Sequence, residues 1–133
     1  MNRIVKSAVF FFAFLLVAAA AASAYESYVW FVDLDERLYK KEPNSRTQET
    51  GYQVSGQVVV EAGEDASSRL LENYTRQALQ DWADETAEEK TDNAYSDCTI
   101  LRYFDDIAVE NMDFDGDCWW VDISGVLVET ICD

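Results

Sequence analysis

From Gly51 to Glu61 the chain alternates. Tyr52, Val54, Val58 and Val60 fall on one side, and Gln53, Ser55, Gln57 and Glu61 on the other. A period of two marks a strand with one buried face. Upstream, Glu26–Leu34 is dense in aromatic and β-branched residues and predicts another strand. Between them Asp35–Thr50 is polar, with Pro43-Asn44-Ser45 at its centre, and is expected to be a long loop.

After Gly63-Glu64-Asp65 the period becomes helical. Leu70, Tyr74, Ala78 and Trp82 recur every fourth residue, flanked by Leu71 and Leu79, and form one apolar stripe. The helix is expected from Ala66 to about Glu88. Asp65 or Ser67 is placed to cap it by accepting from backbone N–H groups the first turn leaves open.

The last two apolar runs, Asp97–Met112 and Cys118–Cys132, flank Asp113-Phe114-Asp115-Gly116-Asp117, and an Asp-Gly pair in that setting predicts a hairpin. A two-residue loop would set Val121 against Glu110. A three-residue loop, Phe114-Asp115-Gly116, sets Val121 against Val109, Ile123 against Ile107 and Leu127 against Tyr103. Directly opposed residues share a face, so the second register is expected. It also places Cys98 opposite Cys132 and predicts a disulfide between them. Cys118, at the turn end, is left as a free thiol or a bond to another chain, which would give a dimer. The pattern as a whole predicts an α+β fold: an antiparallel sheet of about four strands with one long helix packed on one face, in the order β-β-α-β-β.

The N-terminus changes where this domain is expected to work. Arg3 and Lys6 precede an uncharged stretch whose centre, Val9–Val17, is rich in Phe, Leu and Val, and Ala22-Ser23-Ala24 follows. This is the layout of a cleavable secretory signal. The strongly apolar part is shorter than the roughly 20 residues of a membrane span. Residues 1–24 are therefore expected to be a signal peptide, with no transmembrane anchor after cleavage, and 25–133 a single acidic α+β domain, secreted or periplasmic.

The 24 leading residues hold two of the ten basic residues and none of the 26 acidic ones, so the remainder carries a net charge of −18. That argues against nucleic acid as a partner and for a basic protein surface. The chain has no histidine, which removes the His-dependent nucleophilic arrangements and the commonest zinc ligand.

Three constellations carry candidate chemistry. Asn111–Asp122 partly follows the twelve-residue calcium loop, with Asp113, Asp115, Gly116 and Asp122 at ligand or turn positions. Its first position is Asn, its last is Asp instead of Glu, and a strand follows in place of a helix. A weak calcium site on Asp113, Asp115, Asp117 and Asp122 is the expectation that remains. Trp119-Trp120 adjoins that tip. Strand alternation places Trp119 with Val121 and Ile123 in the core, and Trp120 with Asp122 and Ser124 on the other face as a candidate anchor. The acidic pairs Asp84-Glu85, Glu88-Glu89 and Asp105-Asp106 are the material for a carboxylate-dependent hydrolase, although neighbouring acids usually point apart. Asn73-Tyr74-Thr75 is a glycosylation sequon.

The expected function is that of a small, exported, non-enzymatic binding protein of the inhibitor, immunity-protein or effector kind. It would engage a basic protein through Trp120, Asp113, Asp115, Asp117 and Asp122. A calcium-binding module using the same loop and a small hydrolase are the alternatives.

Overall fold

The computed structural model describes residues 25–92 and 99–132. The expected signal segment therefore lies outside the described residues, as does Cys98 of the expected disulfide. Four strands, β1 (Glu26–Asn44), β2 (Thr47–Glu61), β3 (Ile100–Phe114) and β4 (Trp119–Cys132), form one antiparallel sheet in the order β1-β2-β4-β3. One helix, α1 (Ser68–Asp92), separates the two hairpins in sequence and packs on one face. This is the α+β architecture the patterning predicts.

The polar segment Asp35–Thr50 is not a loop. β1 and β2 continue through it as a long hairpin and turn only at Ser45-Arg46. Its side chains are polar because this end of the sheet extends beyond the helix, so strand geometry persists without a buried face. The backbone ladder and cross-strand contacts such as Lys41–Glu49 (3.3 Å) hold it.

Ser67 is the helix cap: its Oγ accepts from Leu70 N at 3.2 Å, and its carbonyl accepts from Leu71 N at 3.0 Å. The buried stripe is Leu71, Thr75, Ala78, Leu79, Ala83 and Ala87, slightly rotated from the expected one, with Leu70, Tyr74 and Trp82 at its margin. Small alanines along the last turns let the helix lie close to the sheet. Leu71, Ala78 and Leu79 pack on Val58 and Val60 of β2 and on Val121 and Ile123 of β4, with Val29, Val109 and Met112 completing this core. Burying such a side chain stabilises the fold by about 1.5–3 kcal/mol.

The β3–β4 hairpin exists, but its register differs from the expected one. Phe114 pairs with Trp119, so the loop is Asp115-Gly116-Asp117-Cys118, four residues and not three. Met112, not Val109, lies opposite Val121; Val109 lies opposite Ile123, Ile107 opposite Gly125, and Phe104, not Tyr103, opposite Leu127. Two bulges, at Glu110 and Asp105, each absorb one residue of β3. Val109 and Val121 therefore still share the helix-covered face, whereas Tyr103 is turned to the other face and is exposed. At the far end the last pair of the ladder is Ile100↔Ile131. The sulfur of Cys132 lies 3.8 Å from the carbonyl oxygen of Thr99.

Candidate functional site

The helix covers one face of the sheet and leaves the other open. Cross-strand pairing orders that outer face into rows that run across all four strands. The row nearest the hairpin tip is Tyr28, Val59, Trp120 and Asp113, and the next is Phe31, Gln57, Asp122 and Asn111. Polar rows follow, headed by Asp33 and Glu36. A second aromatic row, Tyr39, Gly51, Val128 and Tyr103, lies at the far end. Two islands of rings thus flank an acidic, polar middle. Eight residues of β4, from Trp120 to Val128, separate the islands, roughly 26 Å at ~3.3 Å per residue.

Each island covers one valine. Val59 and Val128 are 0 % and 1 % exposed although they point away from the helix. Part of each ring's surface is spent on that burial, and much of the rest faces solvent. Trp30 is 59 % exposed, Phe31 42 % and Tyr28 41 %. Trp30 stands at a bulge of β1, which turns it onto the outer face against Trp120, with ring centroids 5.5 Å apart and planes at 80°. This is the edge-to-face geometry aromatic pairs prefer. The pairing places Trp120 on the outer face and Trp119 on the inner one, as strand alternation requires. Trp119 donates to Gly63 O at 2.8 Å and packs on Phe114.

The five expected contact residues do not act alike. Asp115 is turned into the loop. Its Oδ1 accepts from Asp117 N (2.8 Å) and Cys118 N (2.9 Å), and its Oδ2 accepts from Trp120 Nε1 at 2.7 Å. Asp115 is thus the structural pin of the tip, and with Gly116 at φ 105° it builds the turn and fixes the Trp120 ring. The N–H of Cys118, the Trp120 indole and the N–H of Asp117 hold its carboxyl down at about 2. Because the folded value lies below the ordinary 3.8, the order this contributes is complete above pH ~4 and is lost as pH falls through 2. The Trp120 indole N–H resonance is expected to move across that interval while the core resonances stay in place.

Asp113 and Asp122 lie on the outer face beside Trp120. Asn111 Nδ2 donates to Asp113 Oδ2 at 2.7 Å, and Gln57 Nε2 donates to Asp122 Oδ1 at 2.9 Å. The second oxygen of each makes no hydrogen bond among the described residues. Asp117 is exposed at the apex. The carboxylates are spread over the tip and the sheet face. Among the described residues no group of three or more His, Cys, Asp or Glu side chains converges as a metal ion would require. Compared with family models, curated proteins and solved structures, the chain shows no match.

Cys118 is a free thiol, half-buried in the tip loop. Burial pushes its pKa up, and the nearby charges of Asp115, Glu61 and Asp117 push it further. A thiol held protonated is a poor nucleophile. Its modification by an aromatic disulfide reagent at pH 8 is expected to be slower than that of an exposed thiol, and to accelerate in Asp115→Asn.

Sequence reading missed Trp30, Tyr28 and Phe31. Their run, Tyr28-Val29-Trp30-Phe31-Val32, is apolar at every position, so period two cannot say which ring faces out; the bulge decides it. Of the acidic pairs, Asp84 and Glu85 line, with Asp81 and Glu88, an open groove of about 490 Å³ between α1 and the start of β1, floored by Val29, Ala78 and Trp82. Asp105 and Asp106 lie apart from it, at a bulge of β3. No helix among the described residues is long and apolar enough to cross a membrane.

Proposed function

We infer that the chain is an exported binding protein whose outer sheet face, at the β3–β4 tip, engages a basic region of another protein. The observation that supports this is the uncovered aromatic island of Tyr28, Trp30, Phe31 and Trp120, set among Asp113, Asp117 and Asp122. The ion pairs of the described residues lie elsewhere, at the far end (Lys41–Glu49) and under α1 (Lys90 and Arg102 with Glu129). Four of the eight basic residues after Ala24, namely Arg37, Lys40, Lys41 and Arg46, also sit toward the β1–β2 turn. The tip is therefore the negative end of the sheet, which steers a cationic partner to the rings. Aromatic side chains supply affinity there because they bury large areas at little entropic cost.

The test is a capture experiment with the chain from Tyr25 onward, using the extracytoplasmic fraction of its source. A parallel column carries Trp30→Ala with Asp113→Asn and Asp122→Asn. The reading expects a protein of high isoelectric point that leaves the first column in ~0.5 M salt, where screening shrinks to a few ångströms, and is not held by the second. Trp30→Ala alone should weaken its affinity at least tenfold. A partner held equally by both columns, or insensitive to salt, contradicts it.

A further inference from the structure

The corner between Trp30 and Trp120 has the geometry of a cation receptor and not merely of a greasy patch. Its two rings meet nearly at right angles, 80°, with centroids 5.5 Å apart. Trp120 cannot turn freely, because Asp115 Oδ2 holds its N–H at 2.7 Å. Trp30, 59 % exposed, is the outer wall. Around the corner lie Asp113, in the same cross-strand row as Trp120, and Asp122, in the next. Gln57 and Asn111 each occupy one oxygen of these carboxylates, which orients the groups without neutralising them. The described ion pairs bring no lysine or arginine to any of these side chains. A fixed indole, an exposed indole and two oriented anions are therefore present together without a cation.

We propose that this corner seats an arginine side chain of the partner, its guanidinium stacked on the face of Trp30 and hydrogen-bonded to Asp122, with Asp113 adding to the negative potential around it. Arginine fits better than lysine because its planar, weakly hydrated head stacks on an aromatic face while its N–H fork reaches a carboxylate, whereas an ammonium keeps its water. The proposal rests on the reading of the outer face as the binding surface and names the chemistry that surface selects.

The test uses the chain from Tyr25 onward and three acetylated, amidated pentapeptides, Gly-Xaa-Gly-Xaa-Gly, with arginine, citrulline or lysine at Xaa. Citrulline keeps the shape and removes the charge. The four indole N–H resonances are followed by NMR, and those of Trp82 on α1 and Trp119 on the inner sheet face serve as internal controls for folding. The arginine peptide is expected to shift Trp30 and Trp120 saturably, at least tenfold more tightly than citrulline and more tightly than lysine. Trp30→Leu and, separately, Asp122→Asn should each weaken it, with Trp82 and Trp119 unmoved. Equal shifts from arginine and citrulline, a preference for lysine, or shifts confined to Trp82 and Trp119 would overturn the proposal. If a basic partner is still captured through the outer face, the broader reading survives such a failure. If the arginine peptide binds but no basic protein is captured, the broader reading fails and the corner stands.

Discussion

Glu129→Ala is expected to destabilise the fold by about 3–5 kcal/mol, the usual cost of removing one partner from a buried ion pair. Glu129 is 4 % exposed on the helix-covered face of β4. Its Oε2 accepts from Arg102 Nε at 2.8 Å and from Lys90 Nζ at 2.9 Å. Arg102 also donates to Thr86 Oγ1 at 3.1 Å and lies over the Trp82 ring, 5.7 Å from its centroid. Truncating Glu129 strands that guanidinium under α1 without a counter-charge, and the melting temperature should fall by roughly 15 °C or more, scaling by domain size. Lys90→Ala should cost only ~1 kcal/mol, because the Lys90 side chain is 45 % exposed. Replacing both partners by apolar residues of similar volume, Glu129→Leu with Arg102→Met, should restore most of the loss. Burial pushes the Glu129 pKa up, but the hydrogen bonds from Lys90 and Arg102 outweigh it and leave the group below its ordinary 4.5. The stability it contributes is thus present above pH ~4.5 and disappears as acid protonates it below that. Urea titrations at pH 7 and pH 3 measure both effects.

Gly125→Ala is the second change expected to damage the fold severely. A β-carbon there would run into the carbonyl oxygen of Asp106 and lie 3.1 Å from its carbon and 3.3 Å from Ile107 Cα. These are backbone atoms brought close by the bulge at Asp105, so no side chain can swing aside. Overpacking of this kind costs about 1–3 kcal/mol, and valine should cost more than alanine. The same residue at Gly116 meets nothing within 4 Å, and only its φ of 105° resists substitution. A denaturant midpoint that falls for Gly125→Ala with an unchanged slope would place the loss in the native sheet. An unchanged midpoint would mean that β3 does not bulge against β4 at this point.

The element order and the buried face were legible because β2, α1 and β4 carry a readable period: two in Gly51–Glu61, near 3.6 in Leu70–Trp82, and two again in Trp119–Ser124. The pairing register was not legible. Bulges at Asp105 and Glu110 shift it twice, and adjacent acids on β3 announce no bulge. The first hairpin was half hidden because Asp35–Thr50 has no apolar face to betray a strand, yet an edge that overhangs the helix needs none. Around the tip, Trp120 and its carboxylates could be found from alternation beside an Asp-Gly turn. Asp115 could not be told from its neighbours, since only folding shows that it caps the loop and they do not. Trp30 was hidden in an all-apolar run. The bulges along β1 and β3 interrupt the two sheet edges, which limits edge-to-edge pairing; the outer face is the surface proposed for contact.

The measurement that bears most directly on that surface is hydroxyl-radical footprinting of the chain alone and in the low-salt complex with its captured partner. Protection concentrated at Trp30, Trp120, Tyr28 and Phe31, with the outward helix residues Gln77 and Asp81 as reactive as before, is the predicted result. Protection of the helix side with those four rings still fully reactive would contradict the account.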